Sequence, residues 1–249
     1  MPEQPHTINV VYRPIVDPLD NSVRFYRAIP VLRYEDGTTV IGHAEALRHE
    51  KDAMDTAERN AVVLVQATLA LAAAHNHGDQ IFLLVPINAA ALSTKESATY
   101  LVRALKELDP IFGRAAVAQL FNLPEPTTMD RLDDALIPVM IATDKYIFEP
   151  PGSVKDYMDF GAINAQGVAM DLGVTRENDT QMSMTDLWSR AAPRKLKLFY
   201  QNVDNEKGFE DATRYEARGV DGSLFGGYLP VPGPRTNREK LKDLETVAL

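Results

Sequence analysis

The chain has no cysteine among its 249 residues, which removes disulfides, thiolate metal sites and a cysteine nucleophile at once. Positive charge is also scarce. Lys and Arg number 26 against 35 Asp and Glu, a formal net charge of −9, and such a surface does not favour phosphate backbones. The densest basic spot, Arg190, Arg194, Lys195 and Lys197, reads as a solvated helix end running into a strand. Long apolar runs are missing too: the longest, 67–74, is too short to cross a bilayer. The opening MPEQPHTINVV has neither the basic nor the apolar region of a signal peptide. These absences lead us to expect a cytoplasmic protein with no membrane segment and no nucleic-acid partner. What is present, 45% hydrophobic residues over a length that α/β barrels commonly fill as one unit, suits a single large core.

The first extended stretch, 12–37, reads YRPIVDPLDNSVRFYRAIPVLRYEDG. Two arms rich in β-branched and aromatic residues, 10–16 and 23–34, flank a cluster of Pro, Asp and Asn, so a β-hairpin is expected. Arg27, between Tyr26 and Ala28, is a charge inside a strand pattern and needs a reason. Helix and strand then alternate. Helices are expected over 42–48 and 52–77, the second with a stripe of Ala61, Val62, Val65, Leu69 and Ala72 and a stop at Gly78. A strand over 80–85 follows, then a helix to 108 opened by a capping box of Ser93 and Glu96. Strands are expected over 115–123, 138–143, 167–172, 195–203 and 223–229, with helices over 128–136, 153–160, 185–192 and 206–219. Regular alternation with short connections implies a parallel sheet under helices, and the number of units favours a closed barrel. The expected organisation is an N-terminal arm over 1–8, a barrel over 9–232 and a loosely packed tail over 233–249.

These residues resemble the bacterial EAL domain. YRPIVD and YRAIPVLRYEDG are similar to the YQPIVD and YEALLRW segments of that family, and VPIN, VAMD and GGYLPVP follow in the family's order. The resemblance implies a TIM-like (β/α) barrel of the EAL type with an extra N-terminal hairpin strand. Active members linearise cyclic di-GMP with two divalent metals, which carboxylates and an asparagine hold at barrel strand ends.

Carried over residue by residue, the resemblance places Arg27 at the glutamate of the EAL tripeptide and keeps the next motif's asparagine as Asn88. It places Gln119 and Asn122 at the paired glutamates of the following strand. The two aspartates of DDFG fall on Asp144 and Lys145, because Asp159-Phe160-Gly161 stands too close to the next motif. The lysine of KID falls on Ala169, its aspartate is kept as Asp171, and a later glutamate becomes Gln201. The glutamine of YQPIV becomes Arg13, the arginine after the EAL tripeptide Val31, and the glutamine of the QG motif Gly226.

With Asn88 and Asp144 as the surviving ligands, and Arg27 and Lys145 bringing positive charge, magnesium or manganese binding is expected to be lost. The reading is therefore a degenerate, catalytically inactive domain, with no cofactor, that regulates through protein partners or as a homodimer. The alternative is a receptor that binds cyclic di-GMP uncut through Arg13, Arg27, Asn88, Asp144, Lys145 and Asp171. A third, an enzyme of another kind, would draw an acid–base set from Asp144, Asp171, Lys145 and Arg27. The bland reading of Arg27 is an ion pair with Asp144 or Asp171 in the old cavity. His6, His43, His49, His75 and His77 read as scattered over loops and helix surfaces, and Trp188 and Phe199 as core.

Overall fold

The computed structural model describes residues 6–47, 52–173 and 182–248. His49 lies outside them. The strands are β1 (His6–Val16), β2 (Ser22–Tyr34), β3 (Thr39–Ile41), β4 (Phe82–Asn88), β5 (Ala116–Phe121), β6 (Tyr146–Phe148), β7 (Gly167–Asp171), β8 (Lys197–Gln201), β9 (Ala217–Val220) and β10 (Thr236–Asn237). The helices are α1 (His43–Ala46), α2 (Ala53–Asn76), α3 (Lys95–Lys106), α4 (Ile111–Ala115), α5 (Met129–Leu136), α6 (Met158–Ala162), α7 (Met184–Ala191) and α8 (Glu206–Arg214).

The hairpin of β1 and β2 forms as expected, its turn closed by Asp17 and Asp20 accepting from the backbone N–H of Leu19 and Ser22. From β2 onward each barrel strand pairs in parallel with the next, in the order β2, β4, β5, β6, β7, β8, β9. β1 closes the ring by pairing antiparallel with β2 on one side and, at Val16 and Val220, with β9 on the other. The result is a closed, mixed barrel of eight strands surrounded by helices. No helix among the described residues is long and apolar enough to cross a membrane.

Several local expectations are corrected. Residues 138–143 form no strand; Val139–Ile141 is a turn of 3-10 helix, and the strand is the three-residue Tyr146–Phe148. An apolar run after a proline fits either state. The helix over 206–219 stops at Arg214, and its last residues are β9, which leaves 223–229 without a barrel strand. Helix α6 begins only at Met158, and α3 is capped by Thr94, which accepts from Ser97 N, in place of Ser93.

The tail is anchored, not loose. The Tyr26 hydroxyl donates to Pro234 O at 2.7 Å, β10 pairs with β2, and Val247 N donates to Tyr228 O at 2.8 Å. The stripe expected to bury α2 is also the wrong one: the helix turns Ala57, Ala61, Leu64, Ala67 and Leu71 inward, leaving Val62, Val65 and Leu69 exposed.

Candidate functional site

Side chains alternate across a strand, so residues two apart share a face. In the barrel this produces two stacked layers. Ile15, Leu84, Val117, Ile147, Ala169 and Phe199 come from six strands and form one buried apolar cluster, with Phe25 packed against it. Two residues along the same strands stand Arg13, Arg27, Gln119, Glu149, Asp171 and Gln201, and Asp221 follows Gly219 in the same way. The upper layer lies toward the C-terminal ends of the parallel strands, and every polar group in it is nearly or fully buried.

Arg27, 3% exposed, is the hub. Its Nη1 lies 3.4 Å from Asp171 Oδ2, and its Nη2 donates to Asn202 Oδ1 at 3.2 Å. Its Nε approaches Asp221 Oδ2 at 3.3 Å as an ion pair without hydrogen-bond alignment. Arg13 donates to the same Asn202 oxygen at 2.7 Å and lays its guanidinium 4.2 Å from the centre of the Tyr228 ring. Asn202 returns a bond from its amide nitrogen to Asp171 Oδ1 at 2.6 Å. On the far side His43, buried in α1, places Nε2 at 2.7 Å from Glu149 Oε2 and Nδ1 at 3.8 Å from Asp171 Oδ2. Gln119 donates to Glu149 at 3.0 Å and exchanges amide bonds with Gln201.

Burial works against charge on His43, but Glu149, its hydrogen bond and Asp171 outweigh burial and the repulsion of Arg27, so the imidazole pKa is raised. Burial would raise Asp171, yet Arg27 first, then His43, Asn202 and Gly173 N, hold its carboxyl below the usual range. Asp221 goes the other way. Burial pushes it up, and Arg27 answers that only in part. His43 is hydrogen-bonded to Glu149 but stands 3.8 Å from Asp171, beyond hydrogen-bond reach, so the three buried groups form no continuous proton path. Among the described residues no three His, Asp or Glu side chains are grouped so as to hold a metal ion.

Asn88 is fully engaged beside this layer. Its backbone N–H donates to Asn60 Oδ1, its side-chain amide donates to Leu47 O, and its oxygen accepts from Ala90 N and Asn122 Nδ2. Asp144 and Lys145 are elsewhere. They precede β6 and so stand at the opposite, N-terminal end of the barrel, where Lys145 Nζ binds Gly113 O and Asp144, whose side chain is 85% exposed. The expectation that they share a cavity with Arg27 is corrected, and the acid–base set built on all four does not assemble. The cause is the misplaced strand: with β6 at Tyr146–Phe148, the carboxylate at its C-terminal end is Glu149.

No family model matches the chain, and no curated protein matches it in sequence. Solved structures do. A Bacillus subtilis YkuI protein with an EAL domain, in complex with substrate c-di-GMP and calcium, superposes with a TM-score of 0.71 over 95% of this chain at 13% identity. The chain spans 58% of that protein. The Xanthomonas citri FimX EAL domain in complex with c-diGMP gives 0.62 over 91% of this chain and 88% of its own, at 21% identity. The EAL domain of Mycobacterium smegmatis DcpA gives 0.59 over 96% and 97%, at 13% identity. The fold is that of the EAL domains.

The family resemblance placed Arg27, Gln119, Asp171 and Gln201 at motif positions at the barrel strand ends, and the structure joins Arg27 to Asp171 and Gln119 to Gln201 in one buried layer. Ala169 is one layer lower, in the apolar floor. Val31 packs in a small apolar cluster with Val11 and Ile29, against which Val247 and Tyr228 lie. Sequence reasoning missed His43, Glu149, Asn202 and Asp221. Glu149 and Asp221 carry a readable signal, since each stands two residues beyond an inward position in YIFE and ARGVD. His43 and Asn202 carry none, because each reaches the cluster from a segment outside the barrel strands.

Proposed function

We propose that the chain is a degenerate, non-catalytic EAL-fold module of bacterial cyclic di-GMP-related signalling, cytoplasmic and acting through protein contacts. The observation that supports this reading is the Arg27 guanidinium between Asp171 and Asp221. Divalent cations are held by oxygen ligands free to turn toward them. Here the three carboxylates of the layer already face Arg27 or His43, and the amides Gln119 and Gln201 face each other. The residues at the barrel mouth therefore do not fit a magnesium or manganese pair.

Buried arginines also argue against the receptor alternative. Arg13 and Arg27 are committed to Asn202, Tyr228 and the carboxylates, so neither is presented to a phosphate. The test is incubation of the purified protein with cyclic di-GMP and magnesium or manganese, followed by chromatography, with calorimetric titration alongside. No linear dinucleotide and no heat at tens of micromolar are expected. Turnover abolished by Asp171→Asn would overturn the reading, and heat without turnover would replace it with the receptor.

A further inference from the structure

At the N-terminal ends of the parallel strands, on the far side of the apolar floor from the polar layer, lies a cavity of about 120 Å³. Its inner wall is the underside of that floor, with Ile15, Phe25, Val117, Ile147 and Phe199. Its rim is polar. Arg24, Lys197 and Arg218 line it with Ser22, and Asp17 is the one carboxylate. Three cationic side chains against one acid is a local reversal of sign on a chain of net charge −9.

One backbone device brings both arginines there. Between β1 and β2, Ile15 faces Phe25 and Val16 faces Val23, so Arg24 is an extra, unpaired residue. Between β8 and β9, Leu198 pairs with Ala217 and Phe199 with Gly219, so Arg218 is an extra residue too. Phe25 and Gly219 face the interior, and regular alternation would turn the residue before each of them outward. A β-bulge re-aims that side chain, and here two bulges aim two arginines at one cavity. Lys197 needs no bulge, since it stands two residues before Phe199 and shares its face.

These groups are only partly committed. In the basic spot at 190–197, Arg190 donates to Val154 O and Arg194 to Asp156, whereas among the described residues the Lys197 ammonium has no hydrogen bond or ion pair. Arg218 stands 3.6 Å from Asp17, and Arg24 is held by Asp20 at 2.7 Å. The Ser22 hydroxyl oxygen is buried and has no hydrogen-bond partner among the described residues. A buried hydroxyl left unpaired is costly, so its O–H is available to an acceptor entering the cavity.

We propose that this cavity binds a small aromatic monocarboxylate, its ring against Phe25 and Phe199 and its carboxylate toward Lys197, Arg218 and the Ser22 hydroxyl. The size fits, since an apolar cavity of about 150 Å³ holds one benzene ring. The cationic rim selects an anion, and a guanidinium matches the flat carboxylate with two parallel bonds. A phosphate would leave the apolar wall bare, and Asp17 on the rim repels a second negative charge. The site is at the opposite end of the barrel from Arg27 and does not depend on whether the polar layer is catalytic.

The test is an NMR titration of the whole chain with benzoate, with inorganic phosphate and benzyl alcohol as parallel arms. Millimolar benzoate is expected to shift the backbone amides of Ser22, Phe25 and Phe199 and to raise the thermal midpoint. Lys197→Met, at an exposed and unpaired side chain, should leave the unliganded midpoint unchanged and weaken benzoate about tenfold. Ser22→Ala should weaken it severalfold while the unliganded midpoint holds or rises, which a hydroxyl kept for structure would not do. Lys95→Met, away from the cavity lining, should change neither. Amides unmoved by millimolar benzoate overturn the proposal. Equal affinity for phosphate or for benzyl alcohol overturns it too, the first reducing the cavity to a bare anion site and the second to an apolar one. So does benzoate binding that Lys197→Met and Ser22→Ala leave intact.

Discussion

Arg13 and Arg27 face each other as Cα partners across the first hairpin, and both donate to one acceptor, Asn202 Oδ1, at 2.7 and 3.2 Å. Like charges directly opposite on one sheet face are destabilising unless something separates them. Here Asn202 sits between the two guanidiniums, Tyr228 takes the flat face of Arg13, and Asp171 and Asp221 take the edge of Arg27. The pair is stable only as part of this set.

Loss of Arg27 should therefore be costly. Arg27→Met leaves Asp171 and Asp221 buried together without their cation, and removing one partner of a buried ion network costs about 3–5 kcal/mol. Arg13→Met removes one hydrogen bond and a ring contact, an expected loss of about 1–2 kcal/mol. Urea denaturation of both variants checks the order. An Arg13 variant less stable than the Arg27 variant would show that Arg27 is not the hub.

His43 makes stability depend on pH with a definite sign. Its folded pKa is raised, so its contribution is complete below the unfolded value of about 6.5 and is lost as pH rises through the folded value. Asp171, held low, contributes above about pH 3.9 and loses its contribution as pH falls through its folded pKa. Asp221, pushed up, works against stability as pH rises above about 3.9. His43→Gln keeps a donor for Glu149 but cannot titrate. The stability gap between the natural chain and this variant should be full below about pH 6.5 and shrink as the pH rises through the folded pKa of His43. Urea midpoints at a series of pH values test it, and a gap that widens with pH reverses the assignment.

The barrel was legible because period-two strands and periodic helices are local signals. Arg27 was legible as a buried charge for the same reason, and Asp171 as its partner followed from the family motif. What failed was an ambiguity of composition. Residues 138–143 are apolar enough for a strand, and reading them as one moved the C-terminal end of the strand from Phe148 to Thr143. That displacement put Asp144 and Lys145 in the site and left Glu149 out. The α2 face failed for a related reason: with apolar residues on both sides, periodicity alone does not say which side the barrel covers.

The corrected placement can be checked directly. Asp144→Asn should leave the thermal midpoint and the His43 ring titration followed by NMR where they are in the natural chain. Lys145→Met loses its bond to Gly113 O, an expected change of about 1 kcal/mol, again with the His43 titration unmoved. Movement of the His43 titration in either variant would place these residues back beside the cluster.

Gly219 sets the height of the last strand. A Cβ there would lie 2.6 Å from Phe199 Cδ1 and 2.7 Å from Ile15 Cγ2, both in the apolar floor. The register between β8 and β9 shifts beside Phe199, so ring and glycine already share one space. Gly219→Ala should overpack the floor and cost about 1–3 kcal/mol. Because Asp221 is two residues further along the same strand, the strain should also disturb its approach to Arg27. Trimming the ring with Phe199→Leu should restore part of the loss, so the double variant should be more stable than the two single costs added together. Strict additivity would mean that the glycine is not making room for Phe199, and that the two layers of the barrel interior are not coupled through this strand.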